Sequence, residues 1–199
     1  MKILIVGASG TIGRAVTAEL AQRHEVVTAG RSSGDVRVDI TDPSSIQAAF
    51  AEAGPLDAVV STTGSVKFAP LEDMDADAYR FGLRDKLMGQ VNLLLLGRDH
   101  VNDGGSFTFT TGVLDHDPIR SGTSASMVNG ALNAFALAAA IEMPRGMRIN
   151  VVSPGVILEA MDAYGAYFRG FEPVPAARAA LAYVKSVEGA QTGQIYRVL

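Results

Sequence analysis

Three glycines, Gly7, Gly10 and Gly13, follow the apolar run Ile3–Val6 and precede a segment in which Ile12, Val16 and Leu20 share one helical face. That order suits the capture of a pyrophosphate. A short apolar run makes a buried parallel strand. Gly7 permits the tight turn that leaves it, Gly10 lacks the Cβ that would hold a phosphate off the backbone, and Gly13 lets the next helix lie close on the sheet. A helix starting near Thr11 aims its N–H groups and positive dipole end at the anion, with Ser9, Thr11 and Ile12 as further contacts in the same turn. The competing reading is a plain strand-to-helix turn. The position between a strand and an amphipathic helix favours a dinucleotide site.

A second chemical signal stands after the next strand, Val26–Ala29, at Gly30-Arg31-Ser32-Ser33. An NAD-selective site places a carboxylate there for the ribose 2′-hydroxyl, and that carboxylate would repel a 2′-phosphate. Arg31 instead offers a planar fork, with the hydroxyl of Ser32 or Ser33 beside it. A charged hydrogen bond of this kind contributes roughly 1.5–3 kcal/mol, enough for a tenfold preference. The expected cofactor is therefore NADP (NADPH); the alternative is that Arg31 is a solvated loop residue.

The elements that must position these groups alternate along the chain. Strands are expected at Ile3–Val6, Val26–Ala29, Arg37–Val38, Ala58–Ser61, Ser106–Thr110, Ile149–Val152 and Ile195–Val198. Helices are expected at Ile12–Arg23, Ser44–Ala53, Met74–Asp99, Ser124–Glu142 and Ala176–Ser186, with an irregular stretch at Gly165–Pro175. Asp42 and Pro43 supply a cap and a first-turn residue for the second helix. Alternating β and α segments imply an α/β fold, a doubly wound parallel sheet of about seven strands with helices on both faces. With 199 residues, 48% of them hydrophobic, the chain is expected to fold as one domain, 1–199. A net charge of −4 gives no general attraction to nucleic acid or to anionic membrane. The absence of cysteine excludes disulfides, thiolate metal sites and cysteine nucleophiles, and no metal site is expected. The first apolar run is too short for a signal sequence, and no stretch approaches eighteen uninterrupted apolar residues, so a soluble cytoplasmic protein is expected.

With these motifs in place, the chain resembles the short-chain dehydrogenases/reductases over nearly its whole length. Gly7-Ala8-Ser9-Gly10-Thr11-Ile12-Gly13 is similar to that family's glycine motif, and Asp39-Ile40 to its adenine-binding acidic position. Ser61-Thr62-Thr63-Gly64 stands where the family has Asn-Asn-Ala-Gly. Arg148–Gly155, ending in Ser153-Pro154-Gly155 before Val156, resembles the turn that lies against the nicotinamide, and Thr192-Gly193-Gln194 the start of the last strand. The resemblance implies a Rossmann-like fold and cofactor contacts at Asp39, Ile40, Thr62, Thr63, Gly64, Pro154, Gly155 and Val156. The chain is shorter than family enzymes tend to be, chiefly in the substrate lid and the C-terminal tail.

The likeness stops at the chemistry. Family enzymes use Tyr-x-x-x-Lys on a long helix, with a Ser upstream and an Asn on the preceding helix. Anchoring on Asn129-Gly130-Ala131-Leu132 puts Ala125 at the Tyr position and Asn129 at the Lys position, while Gly112, beside Thr111, takes the Ser position. The helix Asn falls on Lys86, so Lys and Asn have changed places. A methyl group cannot transfer a proton. The replacement candidates are Lys86 and Asn129, facing one space from neighbouring helices; Thr111, whose hydroxyl could orient a carbonyl; and His116, flanked by Asp115 and Asp117, which would raise its pKa. Each has a plainer reading as a solvated or packing residue. Tyr164 and Tyr167 could line the pocket, and Ser121, Ser124 and Ser126 are expected to cap and line their helix. Two functions stay open: an NADP-dependent oxidoreductase of unusual active site acting on a small carbonyl or activated alkene, or an NADP-binding sensor or scaffold without turnover. The apolar runs Leu93–Leu96 and Phe135–Ala140 are richer than a solvated face requires, so a homodimer or homotetramer through the long helices is expected.

Overall fold

The chain alternates strand and helix from Lys2 to Val198, and its apolar residues decide which face each element covers. The computed structural model describes all 199 residues. Strands β1 (Lys2–Val6), β2 (Glu25–Gly30), β3 (Val36–Arg37), β4 (Leu56–Ser61), β5 (Val101–Thr110), β6 (Arg148–Pro154) and β7 (Ile195–Val198) form one sheet in the order β3-β2-β1-β4-β5-β6-β7. Every pairing is parallel, with Ile3 opposite Val26 and Ala58, and Phe107 opposite Ile149. All seven C-terminal ends therefore lie along one edge, as the alternating pattern predicts.

Alternation along β1 sorts the core. Ile3 and Ile5 pack with α1 (Thr11–Leu20) and α7 (Ala176–Glu188) through Val16, Leu20, Ala180 and Tyr183. Leu4 and Val6 face the opposite side, where Phe50 of α2 (Pro43–Ala53), Leu93 of α4 (Gly89–Gly97) and Leu132 of α5 (Thr123–Glu142) close the second layer. Asp42 caps α2 by accepting from the Ser44 N–H at 2.8 Å, with Pro43 in the first turn.

The expected helix Met74–Asp99 is broken. After α3 (Ala76–Gly82), capped by Asp75, the chain widens into a π turn at Leu83–Met88 before continuing as α4. Such turns displace side chains from the regular helical face and occur often at functional sites. The serines at the start of α5 do not cap it: Gly122 precedes the helix, and the hydroxyls of Ser124 and Ser126 are buried without a partner. A short helix α6 (Met161–Tyr164) follows β6, and 165–173 is irregular as expected. By length and composition α5 could cross a bilayer. Its Val128, Leu132 and Ala136 are buried, and the helix packs on β6.

Gly97, at the end of α4, is buried so close to the Phe50 ring that an added methyl would overlap it. Gly97→Ala should lower the unfolding free energy by about 1–3 kcal/mol through overpacking, against a helix-propensity gain of about 1 kcal/mol. A reduced urea midpoint with an unchanged slope is the expected readout; an unchanged midpoint would mean that Phe50 moves freely.

Candidate functional site

The β1–α1 turn sits where β1, β2 and β4 end together. Gly7 has φ +89°, its N–H donates to Ala29 O at 2.8 Å, and the Gly10 N–H donates back to Gly7 O at 3.0 Å. Thr62 ties β4 to this turn, donating from N to Val6 O at 2.8 Å and from Oγ1 to Gly7 O at 3.1 Å. A Cβ on Gly13 would overlap the Gly7 carbonyl, so Gly13 serves the close packing of α1 and does not line the groove.

A groove of about 350 Å³ opens over this turn, bordered by Gly7, Ser9, Gly10, Arg31, Ser32, Asp39, Ile40, Thr62, Thr63 and Gly64. Ser33, Ser65 and Asp85 border it as well. No side chain caps α1 at Gly10, so its first-turn N–H groups form the donor set that a phosphate needs. Asp39 accepts from the Thr41 hydroxyl at 2.7 Å and from the Thr41 N–H at 2.9 Å. These bonds, with a smaller contribution from the Arg31 charge, hold its carboxyl below the ordinary range. The acid nearest Arg31 in sequence, Asp35, is turned onto Thr28, whose N–H and hydroxyl donate to it at 2.9 and 2.7 Å, and it does not border the groove. These residues fit a dinucleotide.

Thr62, Gly64 and Ser65 also border a second cavity of about 450 Å³. Thr11, Ile12, Pro154, Gly155 and Val156 form its side toward the glycine turn. Val66, Phe68, Val113, Leu114, Ala125, Ile157 and Phe168 give it an apolar wall. Tyr164 borders it from a half-exposed position and Tyr167 does not; both rings pack on Phe68, each with centroids 5.9 Å apart. Ala125, 3% exposed, leaves a methyl where the resemblance puts the proton donor.

The cavity's polar end is Lys86, Thr111 and Asn129. Lys86 lies in the π turn, its backbone and stem pressed on Gly64, where a Cβ would come within 2.7 Å of the lysine chain. Gly64 has φ +117°. The Lys86 ammonium donates to Thr111 O at 3.1 Å and to Asn129 Oδ1 at 3.0 Å. Part of the side chain is accessible through the cavity, yet the ammonium lies deep among protein atoms, and this burial lowers its pKa to about 8. Asn129 Nδ2 donates to Gly112 O at 3.1 Å, which turns its oxygen toward Lys86. Gln90, fully buried one turn on, exchanges two 2.9 Å bonds with the Thr110 backbone and fixes the end of β5.

Thr111 follows the last residue of β5, and its hydroxyl donates to Asn133 Oδ1 at 3.1 Å. Asn133 in turn donates to Asp115 Oδ2 at 2.8 Å. A carboxylate only accepts, so Asp115 sets the amide orientation and thereby points the Thr111 proton away from the cavity. The expected role of Thr111 as donor to a carbonyl is thus closed in this arrangement; its lone pairs remain. His116 is exposed, lies outside the cavity lining and has no carboxylate within 4 Å, because the turn Val113–Asp115 directs it to solvent. Asn133 and Gln90 carry no local sequence signal for these roles, and Asp115, expected beside His116, turns instead to Asn133. Only the spacing Asn129…Asn133, one helical turn, signals that two amides share a face. No group of three or more His, Asp or Glu could hold a metal ion.

Known proteins place this architecture. A chain from Listeria innocua, the protein lin1944, superposes with a TM-score of 0.99 at 55% identity over 100% of both chains. A small-chain dehydrogenase solved in complex with NADPH shares the fold, with a TM-score of 0.88 at 22% identity, covering 100% of this chain and 96% of that one. Among sequence relatives, an uncharacterized oxidoreductase of Methylorubrum extorquens is 26% identical over 179 residues, 78% of this chain and 72% of that protein. Versicolorin reductase of Emericella nidulans is 25% identical over 185 residues, 77% of this chain and 68% of that enzyme. The family pattern described as enoyl-(acyl carrier protein) reductase matches residues 5–195. With a parallel sheet in this strand order and a glycine turn at its C-terminal edge, the chain belongs to the short-chain dehydrogenase/reductase family of oxidoreductases.

Proposed function

We propose that this protein is an NADP(H)-dependent oxidoreductase that reduces a compact, uncharged carbonyl compound or activated alkene at a rebuilt active site. One observation carries the reading: the groove over the glycine turn and the apolar cavity meet at Thr62, Gly64 and Ser65. A dinucleotide laid along the groove would have its reactive ring delivered to the cavity, beside Pro154 and Gly155. NADPH supplies the hydride when bound. The chain's part is to hold both reactants about 3–3.5 Å apart and to exclude water. Arg31 with Ser32 would take the 2′-phosphate, the α1 N-terminus the pyrophosphate, and Asp39 with Ile40 the adenine. The NADPH complex of a fold neighbour supports the choice of cofactor. A sensor or scaffold without turnover has no need of an open cavity. A space of about 450 Å³ ending on a buried lysine favours turnover over that alternative.

We further propose that a second copy covers the long helices. Of the run Leu93–Leu96 only Leu95 is exposed, but Phe81, Met88 and Leu95 along α3, the π turn and α4 are exposed apolar side chains, as are Met127, Leu137 and Ile141 of α5. Ile141 is 89% exposed. The setting proposed is soluble and cytoplasmic: Val128, Leu132 and Ala136 of α5 are buried in the protein, and a net charge of −4 gives no general attraction to nucleic acid or anionic membrane.

Calorimetric titration should give NADPH at least tenfold tighter binding than NADH, and Arg31→Ala should abolish that difference by weakening NADPH alone. Equal affinities in the parent protein would contradict the assignment of Arg31. Sedimentation should find a dimer or tetramer at micromolar concentration, converted to monomer by Ile141→Glu; a monomeric parent would refute the helical interface.

A further inference from the structure

The cavity's polar end holds one buried group that can change its protonation. Thr111 has committed its proton to Asn133, Asn129 has turned its amide hydrogens toward Gly112, and Ala125 has no proton to give. Lys86 is different. An ammonium has three N–H bonds, and two of them are taken by Thr111 O and Asn129 Oδ1, leaving the third without a protein acceptor on a side chain that borders the cavity. Both protein acceptors are themselves fixed, one in the backbone and one by Gly112, so the nitrogen cannot wander. Tyr164, the other titratable residue of the cavity, stands half exposed.

We propose that Lys86 is the catalytic proton donor of this chain, serving the oxygen of an apolar, uncharged ketone or enone bound against Phe68, Leu114 and Phe168. The proposal rests on the oxidoreductase reading above. As hydride from NADPH forms a C–H bond at the carbonyl carbon, the C=O π pair moves onto oxygen. An Nζ–H bond of Lys86 breaks as the O–H bond forms, leaving alcohol and a neutral amine that regains a proton from solvent. For an enone the hydride goes to the β-carbon and the proton to the enolate oxygen. The lone pairs of Thr111 remain free to accept from the alcohol so formed.

The charges around the amine favour this use. Asp85, on the same turn, is occupied by the Ser65 N–H at 2.6 Å, and Asp115, on the turn after β5, by Asn133. Neither forms an ion pair with Lys86, and Arg84 and Lys67 are exposed. Burial without a counter-charge lowers the pKa to about 8. A donor of that strength suits proton transfer near neutral pH better than an ordinary lysine. The ammonium is present below that value and lost above it. Reduction should therefore fall as pH rises through about 8, and the reverse oxidation, which needs the neutral amine, should rise over the same interval.

The test uses the NADPH-bound chain in two ways. Lysine 13Cε resonances, four in this sequence, are titrated in the parent protein and assigned with Lys86→Met. Lys86 is expected to titrate near 8; a midpoint at the model-peptide lysine value of about 10.4 overturns the proposal whatever the turnover. In parallel, NADPH oxidation with α-tetralone is followed in the parent and in Lys86→Arg, which keeps the charge but cannot release a proton. A loss on the order of 10²–10⁴ in kcat with NADPH affinity kept within threefold is expected. Turnover that Lys86→Arg retains overturns this proposal alone. A parent protein that binds no NADPH, or oxidises none, overturns the oxidoreductase reading as well.

Discussion

Seven parallel strands must end on the same edge, and the site depends on that constraint before it depends on any one side chain. Because each strand returns through a helix, the loops after β1, β2, β4, β5 and β6 converge there although their residues are far apart in sequence. Gly7, Arg31, Thr62, Thr111 and Pro154 thus border two contiguous spaces. The pairings that hold this edge are backbone bonds, reinforced by side-chain bonds between the elements. Thr62 locks β4 to the glycine turn, Gln90 locks the π turn to the end of β5, and Thr110 Oγ1 meets Tyr183 at 2.6 Å beneath it.

Within that frame one cation marks the polar end of the cavity. A buried ammonium without a carboxylate is costly, and the cost is met here by two oxygens and access to the cavity. The π turn is what delivers it. A regular helix from Ala76 to Gly97 would carry Lys86 on a different azimuth, whereas widening at Leu83–Met88 sets its stem on Gly64. The same logic explains the amide pair on α5. Asn129 is held by Gly112 and Asn133 by Asp115, so each presents its oxygen inward, one to an ammonium and one to a hydroxyl.

Much of this was legible in the residues. The glycine turn, the Asp42-Pro43 helix start and the apolar run Ile3–Val6 are local signals whose meaning does not change with context, and each produced the element expected of it. The family resemblance set Lys86 and Asn129 facing one space, and the two do meet at 3.0 Å. Their environment was not legible. A π turn leaves no pattern in sequence comparable to a glycine or proline, because tertiary packing and not propensity widens it. The Thr111–Asn133–Asp115 chain joins residues up to 22 apart through space, and nothing local announces it. His116 failed for the opposite reason: its neighbours in sequence promised a charged pocket, but a single short turn sent it to solvent.

Whether a dinucleotide and a ketone meet over Lys86 is seen in a ternary crystal structure with NADP+ and a tightly bound secondary alcohol. Expected are the 2′-phosphate on Arg31, the nicotinamide against Pro154-Gly155, and the alcohol oxygen within hydrogen-bond reach of Lys86 Nζ. A nicotinamide lying outside the cavity, or an alcohol oxygen bound to another group with Lys86 still held only by Thr111 and Asn129, would contradict this arrangement.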